Sequence, residues 1–183
     1  SGGFTFSADT FEGTNDAGAA NGALDPTGGL TGGGINVTVG GKNFIAGFFN
    51  PPSSGGWSRT FTIAEASSVN VSLRYRLLVD ETYEANEFGQ ALLEIDGTRY
   101  GNSANNSLAQ LNGGAGVDQD SGWQVYTTSI FLAAGEHTIV VGAYNNISNS
   151  GTEITEAFFD DIQIGTPLQP AAVCGPNSQI TGS

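Results

Sequence analysis

The sequence predicts an all-β protein, an antiparallel β-sandwich, from three observations. Short stretches in which apolar and polar residues alternate, the pattern of half-buried strands, recur along the chain. Turns rich in glycine, asparagine and serine separate these stretches, with 28 glycines among 183 residues. No stretch shows the apolar period of a helix. Roughly nine strands of this kind favour two packed antiparallel sheets.

Five strands are predicted in the first part of the chain, four from apolar residues that recur at every second position and one, at 43–50, from its apolar content. They cover residues 4–6, 35–39, 43–50, 57–63 and 69–79. The last is the clearest, because its apolar run beginning at Val69 alternates with polar residues and is interrupted only by Leu78. The strand at 43–50 ends at Pro51, which has no backbone hydrogen to donate to a sheet. Residues 17–34 are small or turn-forming and are predicted to be a loop.

Four further strands are predicted in the second part of the chain, at residues 91–95, 123–132, 137–144 and 157–164. Asp96-Gly97 predicts a two-residue hairpin turn after the first of them. Residues 137–144 are apolar in both phases, which predicts a central strand. Residues 101–122 and 145–155 are polar and are predicted to be long loops.

The closing strand carries a carboxylate in its apolar phase. Counting by twos places Asp160 on the same face as Phe158, Ile162 and Ile164. A buried carboxylate needs a cation, hydrogen-bond donors or a metal, and the chain has only five Lys and Arg. Oxygen ligands of the kind that calcium prefers lie in residues 7–13 at the other terminus. We therefore expect calcium to join the first and last strands; the alternative is that Asp160 accepts hydrogen bonds from backbone amides and binds no metal.

Composition excludes several classes of partner. Eighteen acidic and five basic residues give a net charge of −13, which repels nucleic acid and anionic membrane surfaces. No apolar run approaches the roughly 18 residues that span a bilayer, so membrane insertion is not expected. The sequence contains no methionine, so we expect a processed, secreted, extracellular protein.

The chain is predicted to be one domain with a tail. Residues 1–165 contain all the predicted strands, and residues 166–183 are mainly Gly, Pro, Ser and Ala, which predicts a flexible C-terminal tail or linker. The lone cysteine, Cys174, lies in this tail and cannot form a disulfide within the chain. It is either an inert thiol or a link between chains, in which case the tail would take part in self-assembly.

Three ordered pieces of sequence resemble a known family. They are Phe11-Glu12-Gly13, then Gly122-Trp123-Gln124 with the segment 132–139, and finally Phe159-Asp160-Asp161-Ile162. Together they resemble a jelly-roll carbohydrate-binding module of the galactose-binding-like group. The resemblance implies a jelly-roll sandwich that binds a polysaccharide or glycan and contains a structural Ca²⁺ ion. It places that ion on Glu12 and on Asp160 or Asp161, with Asp9 as a further candidate.

Sugar recognition requires aromatic rings that stack on the sugar and polar groups that bind its hydroxyls. Trp57, Tyr83 and Tyr100 are the aromatic candidates, and Arg74 and Arg76 are candidates for binding an acidic sugar. The alternatives are that Trp57 belongs to the core and that the arginines lie on a solvated face.

The sequence indicates a protein that is not an enzyme. No nucleophile and base are recognisable from spacing, and the single histidine, His137, is expected to be structural. The competing hypothesis is a structural or adhesive module of an adhesin, surface layer or extracellular filament, assembling through strand or tail exchange.

Overall fold

The computed structural model describes residues 2–11, 19–41, 52–147 and 149–165. The strand predicted at 43–50, the candidate ligand Glu12, and the tail at 166–183 with Cys174 lie outside the described residues. The described chain forms two antiparallel sheets of six strands each. This confirms the all-β sandwich. None of the described residues belongs to a helix with the length and hydropathy needed to span a membrane.

Twelve strands make up the described part of the chain. In order they are β1 (Thr5–Ala8), β2 (Ala20–Gly29), β3 (Gly32–Gly40), β4 (Ser53–Ile63), β5 (Ser67–Val79), β6 (Phe88–Ile95), β7 (Thr98–Arg99), β8 (Ala109–Asn112), β9 (Gln119–Asp120), β10 (Gln124–Leu132), β11 (Gly135–Asn145) and β12 (Ile154–Gly165). Sheet A has the order β1-β4-β11-β6-β7, and β8 also pairs with β6. Sheet B has the order β10-β5-β12-β3-β2, and β9 also pairs with β5.

The core lies between the two sheets and follows the predicted periodicity of β5. The alternate residues of β5 from Val69 to Val79 are at most 4% exposed. They pack against inward residues of β6, β11, β3 and β12, among them Leu93, Ile139 and Phe159. The prediction of a central strand at 137–144 is confirmed, because β11 lies between β4 and β6.

Two regions predicted to be loops contain strands. Residues 17–34 include β2 and the start of β3, and residues 101–122 include β8 and β9. These strands are edge or short elements whose ladders form through backbone groups that every residue except proline carries. Their side chains therefore show little alternation, and the loop predictions were wrong for these residues.

The predicted phase of the closing strand was wrong for Phe158 and Asp160 and right for Ile162 and Ile164. Phe159 is 1% exposed and belongs to the core, while Phe158 and Asp160 are in the outward phase of β12. The pairing of β12 with β5 shifts between Asp160 and Gln163, and Asp161 has a φ of 51°. A bulge at this point moves Ile162 back toward the core. Counting by twos across the bulge assigned Phe158 and Asp160 to the wrong face.

The outer face of sheet A is covered over its centre. Leu92 points outward in β6, yet it is fully buried. Phe11, which is 3% exposed, packs beside the buried Gly142 of β11. A Cβ atom at Gly142 would lie 2.7 Å from the Phe11 ring and 2.1 Å from the Gly55 carbonyl oxygen, so only glycine permits this contact. The outer face of sheet B has no comparable cover in the described chain.

Candidate functional site

The outer face of sheet B, here called the B face, carries outward side chains of β10, β5, β12 and β3. Phe131 and Val125 of β10 are 71% and 53% exposed. The side chains of Arg74 and Arg76 on β5 are 40% and 37% exposed. The B face therefore offers apolar and polar groups to solvent side by side.

A row across three strands forms the centre of the B face. Phe158 of β12 lies opposite Arg76 of β5 on one side and opposite Asn36 of β3 on the other. Directly opposite residues of this kind have Cβ atoms about 5 Å apart. The Oδ1 atom of Asn36 accepts a hydrogen bond of 3.1 Å from the Ala23 backbone amide, and its side-chain NH₂ group carries two further donors. An aromatic ring thus lies between a guanidinium group and a carboxamide.

Arg76 is held in place by an aspartate. Its Nε and Nη2 atoms donate hydrogen bonds of 2.9 and 2.6 Å to the two carboxylate oxygens of Asp120. The same carboxylate accepts a 2.7 Å hydrogen bond from the Gly122 amide. The Arg76 guanidinium lowers the pKa of Asp120, which stays ionised at neutral pH. A bidentate pair fixes the plane of the guanidinium. Arg76 would therefore lose little side-chain conformational entropy when a ligand binds to it.

Arg74 lies one step along β5 on the same face and pairs with the bulge of β12. Its Nε atom donates a 3.1 Å hydrogen bond to Asp161. The structure therefore brings the two predicted arginines together on the B face. Phe158, Asn36 and Asp120 were missed. If Phe159 had been taken as the core residue of this strand, the alternation of side chains would have placed its neighbour Phe158 on the outward face.

The predicted aromatic ligand residues lie elsewhere. Trp57 is 7% exposed and packs in the core, where its Nε1 atom donates a 2.9 Å hydrogen bond to the Asn36 carbonyl. Tyr83 is 2% exposed, and its hydroxyl is 2.9 Å from the Thr155 hydroxyl. Tyr100 follows β7 of sheet A and packs against the core. A buried ring has no face to offer a sugar, so Trp57 and Tyr83 are corrected to structural residues.

The described members of the predicted calcium set do not converge. Both carboxylate oxygens of Asp160 accept backbone hydrogen bonds, one from Thr31 at 3.2 Å and one from Asp161 at 2.8 Å. Asp161 is paired with Arg74. Among the described residues, Asp9, Asp160 and Asp161 do not form a group of three carboxylates whose oxygen atoms lie within 4.8 Å of one another.

Three glutamates converge at another place. Glu84, Glu87 and Glu153 each bring one carboxylate oxygen within 4.8 Å of the others. Glu87 and Glu153 are 1% exposed. The Asn149 side chain donates hydrogen bonds to Glu84 and Glu87, and its backbone amide donates one to Glu153. We call these three residues the glutamate cluster.

Burial dominates the electrostatics of the glutamate cluster. Desolvation raises the pKa of Glu87 to about 7 and also raises the pKa of Glu153. The neighbouring carboxylates add repulsion in the same direction. Such a set holds protons more tightly than exposed carboxylates do, and its oxygen atoms are of the type that hard cations prefer. No sequence pattern signalled it, because Glu153 is 66 positions after Glu87 in the chain.

His137 is engaged through both ring nitrogens. Its Nδ1 atom lies 2.6 Å from Asp96 and its Nε2 atom lies 2.9 Å from the Ala133 carbonyl oxygen. Both partners accept hydrogen bonds, so the protonated ring satisfies both. The Asp96 carboxylate raises the pKa of His137, and in turn the pKa of Asp96 is lowered. The histidine joins the turn before β11 to the β6–β7 turn.

Comparison with known proteins gave matches among solved structures. No family model and no curated protein matches the chain. The structure of TmCBM61 in complex with β-1,4-galactotriose matches with a TM-score of 0.45 and 12% identity, covering 89% of this chain and 88% of that chain. A putative sugar binding protein from Bacteroides thetaiotaomicron matches with a TM-score of 0.44 and 7% identity, covering 89% and 87%.

A family 11 carbohydrate-binding module from Clostridium thermocellum, in complex with a β-1,3-1,4-mixed-linked tetrasaccharide, matches with a TM-score of 0.37 and 12% identity, covering 92% and 91%. The solved structures to which the chain is similar thus include carbohydrate-binding modules. At these identities and TM-scores no ligand is carried over from those proteins to this chain. The ligand is argued below from the side chains of the B face.

Proposed function

We propose that this chain is a non-catalytic carbohydrate-binding module that binds a polysaccharide or glycan chain on the B face. The observation that supports the proposal is the row of Arg76, Phe158 and Asn36 across the centre of an open sheet. An aromatic ring flanked by fixed donors matches a sugar, which presents an apolar face edged by hydroxyl groups. An open sheet face of this kind can contact the side of an extended chain.

The charges of the B face narrow the ligand class. Arg74 and Arg76 are each paired with an aspartate, so the face carries no large excess of positive charge. The whole chain has a net charge of −13. Long-range attraction therefore does not favour a polyanion. We propose a neutral glycan, with the remaining guanidinium N–H groups binding its hydroxyls, rather than the acidic sugar for which the two arginines were candidates.

Affinity electrophoresis against a panel of neutral and acidic polysaccharides tests the proposal. The wild-type chain is expected to be retarded by at least one neutral polysaccharide. Phe158→Ala is expected to weaken that binding about tenfold, because it removes the stacking ring. Arg76→Gln is expected to weaken it as well, while leaving the fold intact.

Matched controls locate the site. Phe88→Ala removes a partly exposed ring that contacts Tyr144 in sheet A, and Arg59→Gln removes an arginine of β4 in sheet A that lies over Phe4. Both are expected to retain wild-type retardation. Equal losses in Phe158→Ala and Phe88→Ala would contradict the B-face assignment, and no retardation by any polysaccharide would contradict the function.

Three further predictions remain to be tested. The structural Ca²⁺ ion implied by the resemblance is still a prediction, because its candidate ligand Glu12 lies outside the described residues. We also propose that the protein is secreted. Self-assembly through Cys174 and residues 166–183 also stays a prediction, because these residues lie outside the described part of the chain.

A further inference from the structure

The sheet edges of this molecule are protected unequally. In sheet A the outermost strands have 4, 2 and 4 residues (β1, β7 and β8). In sheet B the edge strand β2 contains Asp25 and Pro26, and its pairing with β3 shifts between Asp25 and Gly29. Short length, charge, proline and bulges are the devices that prevent one sheet edge from pairing with another.

The opposite edge of sheet B, formed by β10, has none of these devices. It pairs regularly with β5 over nine consecutive residues, from Gln124 to Leu132. Its sequence, QVYTTSIFL, contains no charged residue, no proline and no glycine. No other described strand pairs with its outer side. The backbone N–H and C=O groups of that side are therefore presented as a template for another strand.

Exposed apolar side chains are placed toward the two ends of the same strand. Val125 is 53% exposed and Phe131 is 71% exposed, and both point outward on the B face. Three large apolar residues of the described chain are at least 53% exposed, and β10 contributes two of them. Because Val125 and Phe131 lie symmetrically about Thr128, the strand is complementary to itself when reversed.

We propose that β10 pairs antiparallel with β10 of a second copy of this chain, centred on Thr128. In this register Val125 of each copy lies opposite Phe131 of the other, on the same face. Thr127 lies opposite Ser129, and Tyr126 lies opposite Ile130. These three pairs join residues of matching polarity, Gln124 lies opposite Leu132 at the ends, and no like charges meet. The two exposed apolar residues of each copy cover those of the other.

The pairing joins the two B sheets into one continuous sheet. The two-fold axis of such a pair is perpendicular to the sheet, so both B faces lie on the same side. Each copy carries a net charge of −13, and the resulting repulsion opposes association. We therefore expect a weak dimer that is strengthened by salt, since at about 1 M salt the repulsion is screened beyond about 3 Å.

Sedimentation equilibrium of the full chain, without glycan, tests the proposal separately from the proposed function. The wild-type chain is expected to form a dimer as its concentration rises toward about 1 mM, and more readily in high salt. Phe131→Lys is expected to raise the dissociation constant at least about tenfold, since it removes two cross-strand contacts and introduces charges at the edge. Its fold is checked by thermal melting.

Val117→Lys is the matched control. Val117 is 59% exposed and lies outside β10, so this variant carries the same added charge and is expected to dimerise like the wild type. A chain that stays monomeric at every concentration would overturn the proposal. So would equal weakening by the two lysine variants, or a dimer that survives Phe131→Lys and disappears when residues 166–183 are removed.

The register is tested by disulfide formation in a Cys174→Ser background. Thr128→Cys is expected to cross-link two copies, because directly opposite Cα atoms are about 4.5 to 5.5 Å apart, within the range of a disulfide. Gln124→Cys is the control, since in this register the two introduced cysteines are offset by eight residues, about 26 Å. Cross-linking of Gln124→Cys in preference to Thr128→Cys would overturn the proposed pairing.

Discussion

At the scale of single residues, the contact between His137 and Asp96 is the one whose contribution to stability depends most directly on charge. The imidazole is 9% exposed and bonded at both nitrogens, and Asp96 also accepts a 2.9 Å hydrogen bond from the Thr138 amide. Asp96 itself has a φ of 51° in the turn between β6 and β7. The pair therefore joins a strained turn to the beginning of β11, and its strength depends on the charge of both partners.

We expect His137→Gln to destabilise the protein most between about pH 4 and pH 6.5. The raised pKa of His137 means that its contribution is complete below the ordinary histidine pKa and is lost as the pH rises through the folded-state value. The lowered pKa of Asp96 means that its contribution is lost only in acid.

The measurement is the difference in melting temperature between wild type and His137→Gln at a series of pH values. The difference is expected to be larger at pH 6 than at pH 9. A difference that stays constant over this range would show that the contact does not depend on the imidazolium charge.

The backbone conformation at Asp161 decides the location of several side chains. Its positive φ forms the bulge that returns Ile162 to the core phase. Because of this bulge, Phe158 points outward and Asp160 accepts hydrogen bonds from amides. These hydrogen bonds agree with the alternative given in the sequence analysis, in which Asp160 accepts hydrogen bonds from backbone amides and binds no metal. The calcium prediction itself remains untested.

At the scale of elements, the glutamate cluster ties the segment before β6 to the segment before β12. Glu84 and Glu87 come from the first segment, and Glu153 with Asn149 comes from the second. Tyr83 adds a second contact between the same regions through Thr155. These two polar connections, both largely buried, fix the end of the sandwich where β5 leaves sheet B and β12 enters it.

We expect the free energy of unfolding to fall as the pH rises from about 4.5 to 7 in metal-free buffer. The raised pKa of Glu87 means that the folded chain keeps a proton that the unfolded chain has lost, so this contribution is present below the unfolded pKa and disappears as the pH rises. For Glu87 the loss is on the order of 3 kcal/mol.

Glu87→Gln cannot ionise and is expected to flatten this pH dependence. Urea unfolding at several pH values measures the effect, and Glu65→Gln, at an exposed position, is the control. The prediction is wrong if Glu87→Gln and Glu65→Gln show the same slope as the wild type.

At the scale of the whole molecule, the two sheets differ in how much of their outer face and edges is accessible. Sheet A is covered on its outer side by Phe11 and has short edge strands. Among the residues that the structure describes, sheet B has an open face and one unprotected edge, β10. Both proposals arise from sheet B, because ligand binding and strand pairing each require groups that the fold leaves accessible.

The predicted calcium ion is also tested on the whole molecule. If the folded chain binds Ca²⁺, excess chelator is expected to lower the melting temperature, because an ion bound only by the folded form stabilises it. Asp160→Asn is expected to abolish the chelator effect if the ion lies where the resemblance places it, and Glu87→Gln if it lies in the glutamate cluster. An unchanged melting curve, with no bound metal by elemental analysis, would contradict the prediction.

The sequence by itself determined the sandwich class, the inward face of β5 and the central place of β11. A strand buried on one face alternates apolar and polar residues, and a strand buried on both faces is apolar at every position, so both kinds of burial can be recognised in the sequence. It also indicated the arginine pair on an outward face. Only the tertiary structure decided the phase of β12, since a bulge changes the count without a distinctive residue type. The glutamate cluster and the unprotected edge of β10 likewise depend on which distant segments become neighbours, and no local pattern records that.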